Sequence, residues 1–206
     1  MRRFLEMVPF GQGTESMGDA GATGGLWWSD ANVCPSPNRD ARPPGLEPEL
    51  IVIHAISLPP GEFGGPFIEQ FFHNRLDTAA HPYFAQIAEL RVSAHALIDR
   101  TGRAIQFVPF EERAWHAGVS SWRGRERCND FSIGIELEGC DSRPFAAVQY
   151  TTLARLIGWL AARYPELGRE GAIVGHSDIA PGRKTDPGPH FDWHRLQACL
   201  AEEFQA

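Results

Sequence analysis

The chemistry open to this chain is carried by a few residues. His176, Lys184 and Asp186 fall within GHSDIAPGRKTDPG (175–188), a stretch that Pro181, Gly182, Pro187 and Gly188 bend sharply. His176 and Asp186 are ten residues apart, too far for one helical face but within reach of a loop that folds back on itself. Zinc accepts imidazole nitrogen and carboxylate oxygen at about 2.0–2.2 Å, and a catalytic zinc keeps three protein ligands with one position for water. A third ligand must come from elsewhere, and His54, closing the apolar run Ile51-Val52-Ile53 ahead of a Pro/Gly-rich loop, is the choice. Each of the three has an ordinary alternative: a core histidine, a turn histidine, and a turn aspartate bonding its own backbone before Pro187. Their placement argues against coincidence, because each histidine follows a strand-like apolar run that opens into a loop.

Water activated by a metal needs an acceptor for its proton. The run FSIGIEL (131–137) alternates, with Phe131, Ile133, Ile135 and Leu137 on one face and Ser132, Gly134 and Glu136 on the other. Glu136, on the polar side of an otherwise apolar strand, is the candidate base, since desolvation raises a carboxyl towards the useful range. Glu138 shares that face and is expected to be exposed at the strand end. Lys184 can present its charge to the oxyanion that forms when a carbonyl is attacked, against the default of a solvated lysine. Arg91, Arg123, Arg125 and Arg127 make local positive patches with Trp115 and Trp122 nearby. Of these, Arg91, Trp115 and Arg127 are the candidates for holding a carboxylated ligand, and a solvated arginine-rich loop is the competing reading. His95 and His116 sit beside buried-looking residues and either can line a pocket. His73, His81 and His190 are expected in solvent, and His194 faces away from the apolar stripe of its helix.

The elements that must position these groups can be read from their periods. LIVIHAI (50–56) is an unbroken apolar run, expected for a strand covered on both faces. A short helix begins near Pro66. SAHALID (93–99) and AIQFVPF (104–110) read as strands joined by the hairpin turn Arg100-Thr101-Gly102-Arg103. Leu153, Leu156, Ile157, Leu160 and Tyr164 define a helix from about Ala146 to Tyr164, ended by Pro165 and Gly168. A final helix, about Asp192 to Phe204, has Asp192 as N-cap and Trp193, Leu196 and Leu200 as its buried stripe. Residues 1 to about 48, rich in Gly, Pro, Ser, Asn and Asp, read as an irregular arm laid over the domain. Together these predict a single α/β (α+β) domain, a mixed central β-sheet flanked by helices.

Composition sets the bounds. In 206 residues, 43% hydrophobic content is ample for a sizeable core. A net charge of −7 gives no electrostatic reason to expect nucleic acid, so a small molecule or peptide is the expected partner. The four cysteines, Cys34, Cys128, Cys140 and Cys199, are scattered without a C-x-x-C pair and are expected as free thiols. No run approaches the roughly 18 apolar residues of a membrane span. After Arg2-Arg3 the sequence is broken by Glu6, Pro9 and Gln12, so no export signal is read and a cytoplasmic location is expected. Met17 is a second possible start.

Longer runs add a resemblance. ISLPPGEFGGPFI, RVSAHALI, VPFEERAWHAGVS, GRERCNDFSIGIELEG and DIAPGRKTDPGPHFDW closely resemble the cytoplasmic 1,6-anhydro-N-acetylmuramyl-L-alanine amidases of the AmpD family, in the same order, over roughly Pro35 to Trp193. The resemblance implies the zinc-amidase and peptidoglycan-recognition fold, with a zinc-bearing groove at one sheet edge. It implies one zinc per chain on His54, His176 and Asp186, with Glu136 as general base and Lys184 as transition-state stabiliser. The implied substrate is a small muropeptide, cut at the amide between anhydromuramic acid and L-alanine during cell-wall recycling. It also divides the chain into a flexible extension (1–24) and an amidase domain (25–206, core about 48–190). One departure is Ala55, where the family carries asparagine. Two other classes stay in view: a non-catalytic peptidoglycan-fragment binding module, and a secreted amidase acting on intact wall.

Overall fold

The computed structural model describes residues 25–205, so the expected extension over 1–24 lies outside the described residues. Strands β1 (Ala31–Val33), β2 (Arg39–Ala41) and β3 (Leu50–Ile56) are followed by two short helices, α1 (Phe67–Phe72) and α2 (Phe84–Ile87). Next come β4 (Ala96–Ile98), β5 (Ala104–Gln106), β6 (Glu112–Ala114), β7 (Ser121–Trp122) and β8 (Arg125–Glu126). A turn of 3₁₀-helix (Cys128–Asp130) then leads into β9 (Ser132–Glu138). Helix α3 (Ala147–Ala161), β10 (Ile173–Gly175), the single turn α4 (His176–Ile179) and α5 (Trp193–Glu203) complete the order.

Among the described residues the main sheet has six strands in the order β1-β5-β4-β9-β3-β10, and all its pairings are parallel except the β4–β5 hairpin. The apolar LIVIHAI therefore occupies an interior position, with β9 and β10 on either side and residues 50–54 buried. This is the expected consequence of a parallel strand covered on both faces.

The two faces are built differently. On one, Ile51, Ile53, Ile133, Ile135, Leu137, Ala96 and Ile98 pack with Tyr150, Leu153, Leu156, Ile157 and Leu160 of α3 and Leu196 of α5 into one continuous core. Burying each Ile or Leu of this layer contributes about 1.5–3 kcal/mol, so the layer is a large part of the hydrophobic stabilisation. On the other face the apolar material is split in two. Leu97, Ile105 and Phe107 pack under α1 and α2, whereas Leu50, Val52, Cys128, Phe131 and Ile179 form a separate cluster. Between them the strands present His54, Ser132, Gly134, Glu136 and Glu138, residues that alternate with the core-facing ones.

Three expectations need correction. The arm before residue 48 is not wholly irregular: Trp28 is buried, β1 joins the main sheet beside β5, and β2 pairs antiparallel with β6. Phe131 precedes β9 and lies in the smaller cluster with Leu50, not on the face of Ile133 and Ile135. Glu138 is buried at 4% exposure rather than solvated. Its Oε1 accepts from the Gly64 N–H at 2.5 Å and its Oε2 from the Arg100 N–H at 3.1 Å, so two loops descend on it from outside the strand.

Candidate metal centre

His54 is the fifth residue of β3 and faces the split side of the sheet, with Glu136 as its register partner on β9. β10 pairs with β3 in parallel, Gly175 opposite Ile53, so the next residue, His176, arrives level with His54. His176 opens the helical turn α4, not a loop as the turn-rich sequence suggests. The chain then bends until the Ser177 N–H donates to the Asp186 carbonyl at 2.9 Å, closing the ten-residue return. Gly175 is required here, because the Pro187 ring lies against the side where a Cβ would be.

Three ligand atoms converge. Nδ1 of His54 and Nδ1 of His176 are 3.0 Å apart, and Oδ2 of Asp186 is 3.1 Å from each. Both histidines are buried and Asp186 is partly so. Nε2 of His176 lies 3.1 Å from the Ala117 carbonyl, which only accepts, and 3.4 Å from Arg183 Nη2, which only donates; the shorter contact puts the hydrogen on Nε2 and turns a lone pair of Nδ1 inward. Burial opposes charge on Asp186, and its carboxyl falls well below the usual range only where His54 and His176 turn N–H donors towards it; lone pairs at both Nδ1 atoms leave the carboxylate in want of a cation. His54 is pushed down to about 4 by desolvation, so it does not supply the balancing positive charge at neutral pH. A partly buried carboxylate facing two imidazole nitrogens, with edges of 3.0–3.1 Å, suits a small cation. Tetrahedral zinc at about 2.0–2.1 Å sets its ligands about 3.3 Å apart. The donor set of two nitrogens and one oxygen fits zinc and leaves a coordination position open.

Glu136 stands one strand over. Its Oε2 is buried and has no hydrogen-bond partner among the described residues. Desolvation and the nearby Asp186 raise its carboxyl well above the ordinary 4.5, against a smaller downward pull from Lys184. Lys184 itself is exposed, and its charge also acts on His54.

The remaining predicted residues are distributed differently. Trp115 adjoins His116, and its Nε1 donates to Asp40 at 3.2 Å. Arg127 is 70% exposed and paired with Asp130, while Arg91 is exposed and donates to the Ala88 and Leu90 carbonyls. Of the two ambiguous histidines, His95 is structural: its Nδ1 accepts from the Gly134 N–H, and its Nε2 faces the Glu112 carbonyl at 3.1 Å. His116 instead reaches the cluster, with Nδ1 2.9 Å from His54 Nε2. His73 is not free in solvent, since its ring nitrogens lie 2.7 and 3.0 Å from the Glu69 and Pro35 carbonyls. Ala55 alternates to the opposite face and packs on the main core, so an asparagine there would meet the helical layer first. All four cysteines are free.

Two contributors carry no signal in the sequence. Arg183 donates to the Ala117 and Val119 carbonyls at 2.6 and 2.7 Å, pinning the loop that carries His116. Asn129 Oδ1 accepts from the N–H groups of His116 and Ala117 at 3.1 and 2.8 Å. Their neighbours Lys184 and Cys128 were visible as types, but no local pattern marks a partner 66 or 12 residues away.

A mixed sheet whose parallel strands end in a His–His–Asp group, facing a desolvated glutamate, has the parts of a metal-dependent hydrolase. The chain belongs to the N-acetylmuramoyl-L-alanine amidase family, which it matches over residues 44–189. It is 58% identical over 174 residues to the 1,6-anhydro-N-acetylmuramyl-L-alanine amidase AmpD of Citrobacter freundii, spanning 84% of this chain and 92% of that one. The fold is similar to the crystal structure of a selenomethionine AmpD derivative, with TM-score 0.82 and 57% identity over 84% of this chain and 96% of that one. It is also similar, at TM-score 0.54 and 33% identity over 77% of this chain and 60% of that one, to the Escherichia coli amidase AmiD in complex with anhydro-N-acetylmuramic acid-L-Ala-D-γ-Glu-L-Lys.

Proposed function

We propose that this chain is a zinc amidase that cuts the amide between 1,6-anhydro-N-acetylmuramic acid and L-alanine of a small muropeptide, in cytoplasmic cell-wall recycling. The single observation that carries the reading is the convergence of His54, His176 and Asp186 beside Glu136, whose Oε2 has no hydrogen-bond partner among the described residues. The high identity to AmpD over most of both chains supports the choice of bond and substrate. Residues 25–206 form the amidase domain in this reading.

His54, His176 and Asp186 would hold one zinc ion. When bound, zinc acts as a Lewis acid that lowers the pKa of a water towards about 7. Glu136 takes the proton of the attacking water on Oε2, and its raised pKa lets it pass that proton to the leaving nitrogen of L-alanine. Lys184 brings its positive charge to the carbonyl oxygen as it gains negative charge. A cavity of about 290 Å³ over Leu97 and Ile105, the next two strands beyond Glu136, gives part of the ligand a place. Trp115, Arg91 and Arg127 are the candidates for the peptide carboxylates.

The test compares the anhydro and reducing forms of one muropeptide as substrates for the purified protein. Preference for the anhydro form, with free L-alanine-terminated peptide as product, is expected. Equal cleavage of both forms, or of intact wall in preference to either, contradicts the recycling role.

A further inference from the structure

On the side of His54 away from Asp186, a row of polar groups leads out of the cluster. His54 Nε2 is 2.9 Å from His116 Nδ1, His116 Nε2 is 3.2 Å from Ser132 Oγ, and the Ser132 hydroxyl donates to the Cys128 carbonyl at 2.6 Å. A carbonyl oxygen only accepts, so this end fixes every proton in the row. The Ser132 hydrogen is committed to Cys128, and its oxygen therefore accepts from His116 Nε2–H. His116 Nδ1 is then bare and accepts from His54 Nε2–H. What remains is a lone pair on His54 Nδ1, aimed at Asp186 and His176.

We propose that His116 is a positioning residue for the metal: by accepting the His54 Nε2–H it fixes the tautomer and ring plane that present His54 Nδ1 to the ion. The inference rests on the reading of His54, His176 and Asp186 as the metal site. The structure is built to hold this contact. The His116 ring lies against Gly134, where a methyl group would collide with the imidazole, so the glycine of IGIE makes its room. The ring meets His54 edge-on, at 84° between planes. Asn129 holds the backbone of His116 and Ala117, and the Ala117 carbonyl in turn accepts from His176 Nε2–H. Consecutive residues of one segment thus orient both histidines. Outer partners of this kind are commonly worth 10–100-fold in metal affinity.

The test uses three variants and two readouts that do not depend on turnover: the zinc dissociation constant from competition with a chromophoric chelator, and the visible spectrum of the cobalt-substituted protein. In His116→Asn the Oδ1 takes the place of Nδ1 and still accepts; in His116→Leu nothing does. His116→Leu is expected to weaken zinc about 10–100-fold and shift the cobalt bands, whereas His116→Asn keeps most of the affinity. Gly134→Ala, which removes no donor, should weaken zinc by displacing the ring. Equal affinity in the Leu and Asn variants, whether unchanged or equally reduced, overturns the proposal. If His116→Leu does not fold, Ser132→Ala decides: losing its buried bond to the Cys128 carbonyl lowers the urea midpoint of the metal-free protein, and freeing the His116 tautomer should also weaken zinc in the folded fraction, so unchanged zinc affinity there overturns the proposal too. A wild-type protein that holds no zinc fails at the earlier step, the metal site itself.

Discussion

His54 and Glu136 are direct partners in the parallel register of β3 and β9, so a candidate metal ligand and a desolvated carboxyl project from one sheet face a single strand spacing apart. That spacing, about 4.8 Å, is fixed by backbone hydrogen bonds rather than by side-chain packing. Because strand pairing sets it, replacing one side chain should leave the other in place.

Glu136→Gln is therefore expected to separate chemistry from metal binding. It keeps the shape and removes the carboxylate proposed as base, so kcat should fall by about 10²–10⁴ while zinc content stays at one per chain. Metal analysis and steady-state kinetics on the same preparation check this, and a variant that loses zinc in parallel with activity contradicts it.

Glu138, two residues on and on the same face, should behave in the opposite way. Glu138→Ala leaves the Gly64 and Arg100 N–H groups without their acceptor, and both are only partly shielded from water. A loss of about 1–3 kcal/mol in unfolding free energy is expected by urea titration, with kcat of the folded fraction little changed.

Lys184 is exposed, so the oxyanion stabilisation proposed for it is partly screened. Lys184→Ala should lower kcat by about 10²-fold, the lower end for loss of an oxyanion partner, with Lys184→Arg recovering part of it. Equal loss in both variants would assign the lysine to geometry rather than charge.

Acid should destabilise the metal-free protein. Burial drives His54 down to about 4, and it drives His95 and His116 well below the usual 6.5. Folded, these groups stay neutral where the unfolded chain takes up protons, so stability is full above about 6.5 and is lost as pH falls towards the folded values. Each histidine contributes a slope of at most about 1.4 kcal/mol per pH unit. Glu136 runs the other way, since its raised carboxyl binds a proton more tightly when folded, but it is one group against three. Urea midpoints at pH 7.5 and pH 5 should fall, and His95→Asn should flatten the fall. A midpoint unchanged over that range contradicts the buried neutral histidines.

How much of this was legible in the sequence follows from what is local. The unbroken apolar run of β3 and the Leu153, Leu156, Ile157, Leu160 spacing of α3 encode their own burial, and both elements lie where their patterns put them. The return of GHSDIAPGRKTDPG is likewise written in its prolines and glycines, and the Ser177–Asp186 bond closes it. Convergence with His54 is not local, because it depends on β10 pairing with β3 across some 120 residues. β1 and β2, three residues each, are too short to display a period and exist only because β5 and β6 pair with them. The burial of Glu138 and the contact of His116 with His54 come from loops distant in sequence, so side-chain type alone could not place either.

The most direct test is hydrolysis of 1,6-anhydro-N-acetylmuramyl tripeptide by the purified chain with and without bound metal, read by mass spectrometry. The account predicts one zinc per chain and two products, the anhydro sugar and a peptide with a free L-alanine terminus. Activity should be lost on chelation, restored by zinc, and absent with the metal in His176→Ala. Undiminished cleavage by the metal-free protein, or an intact substrate in the presence of stoichiometric zinc, would contradict it.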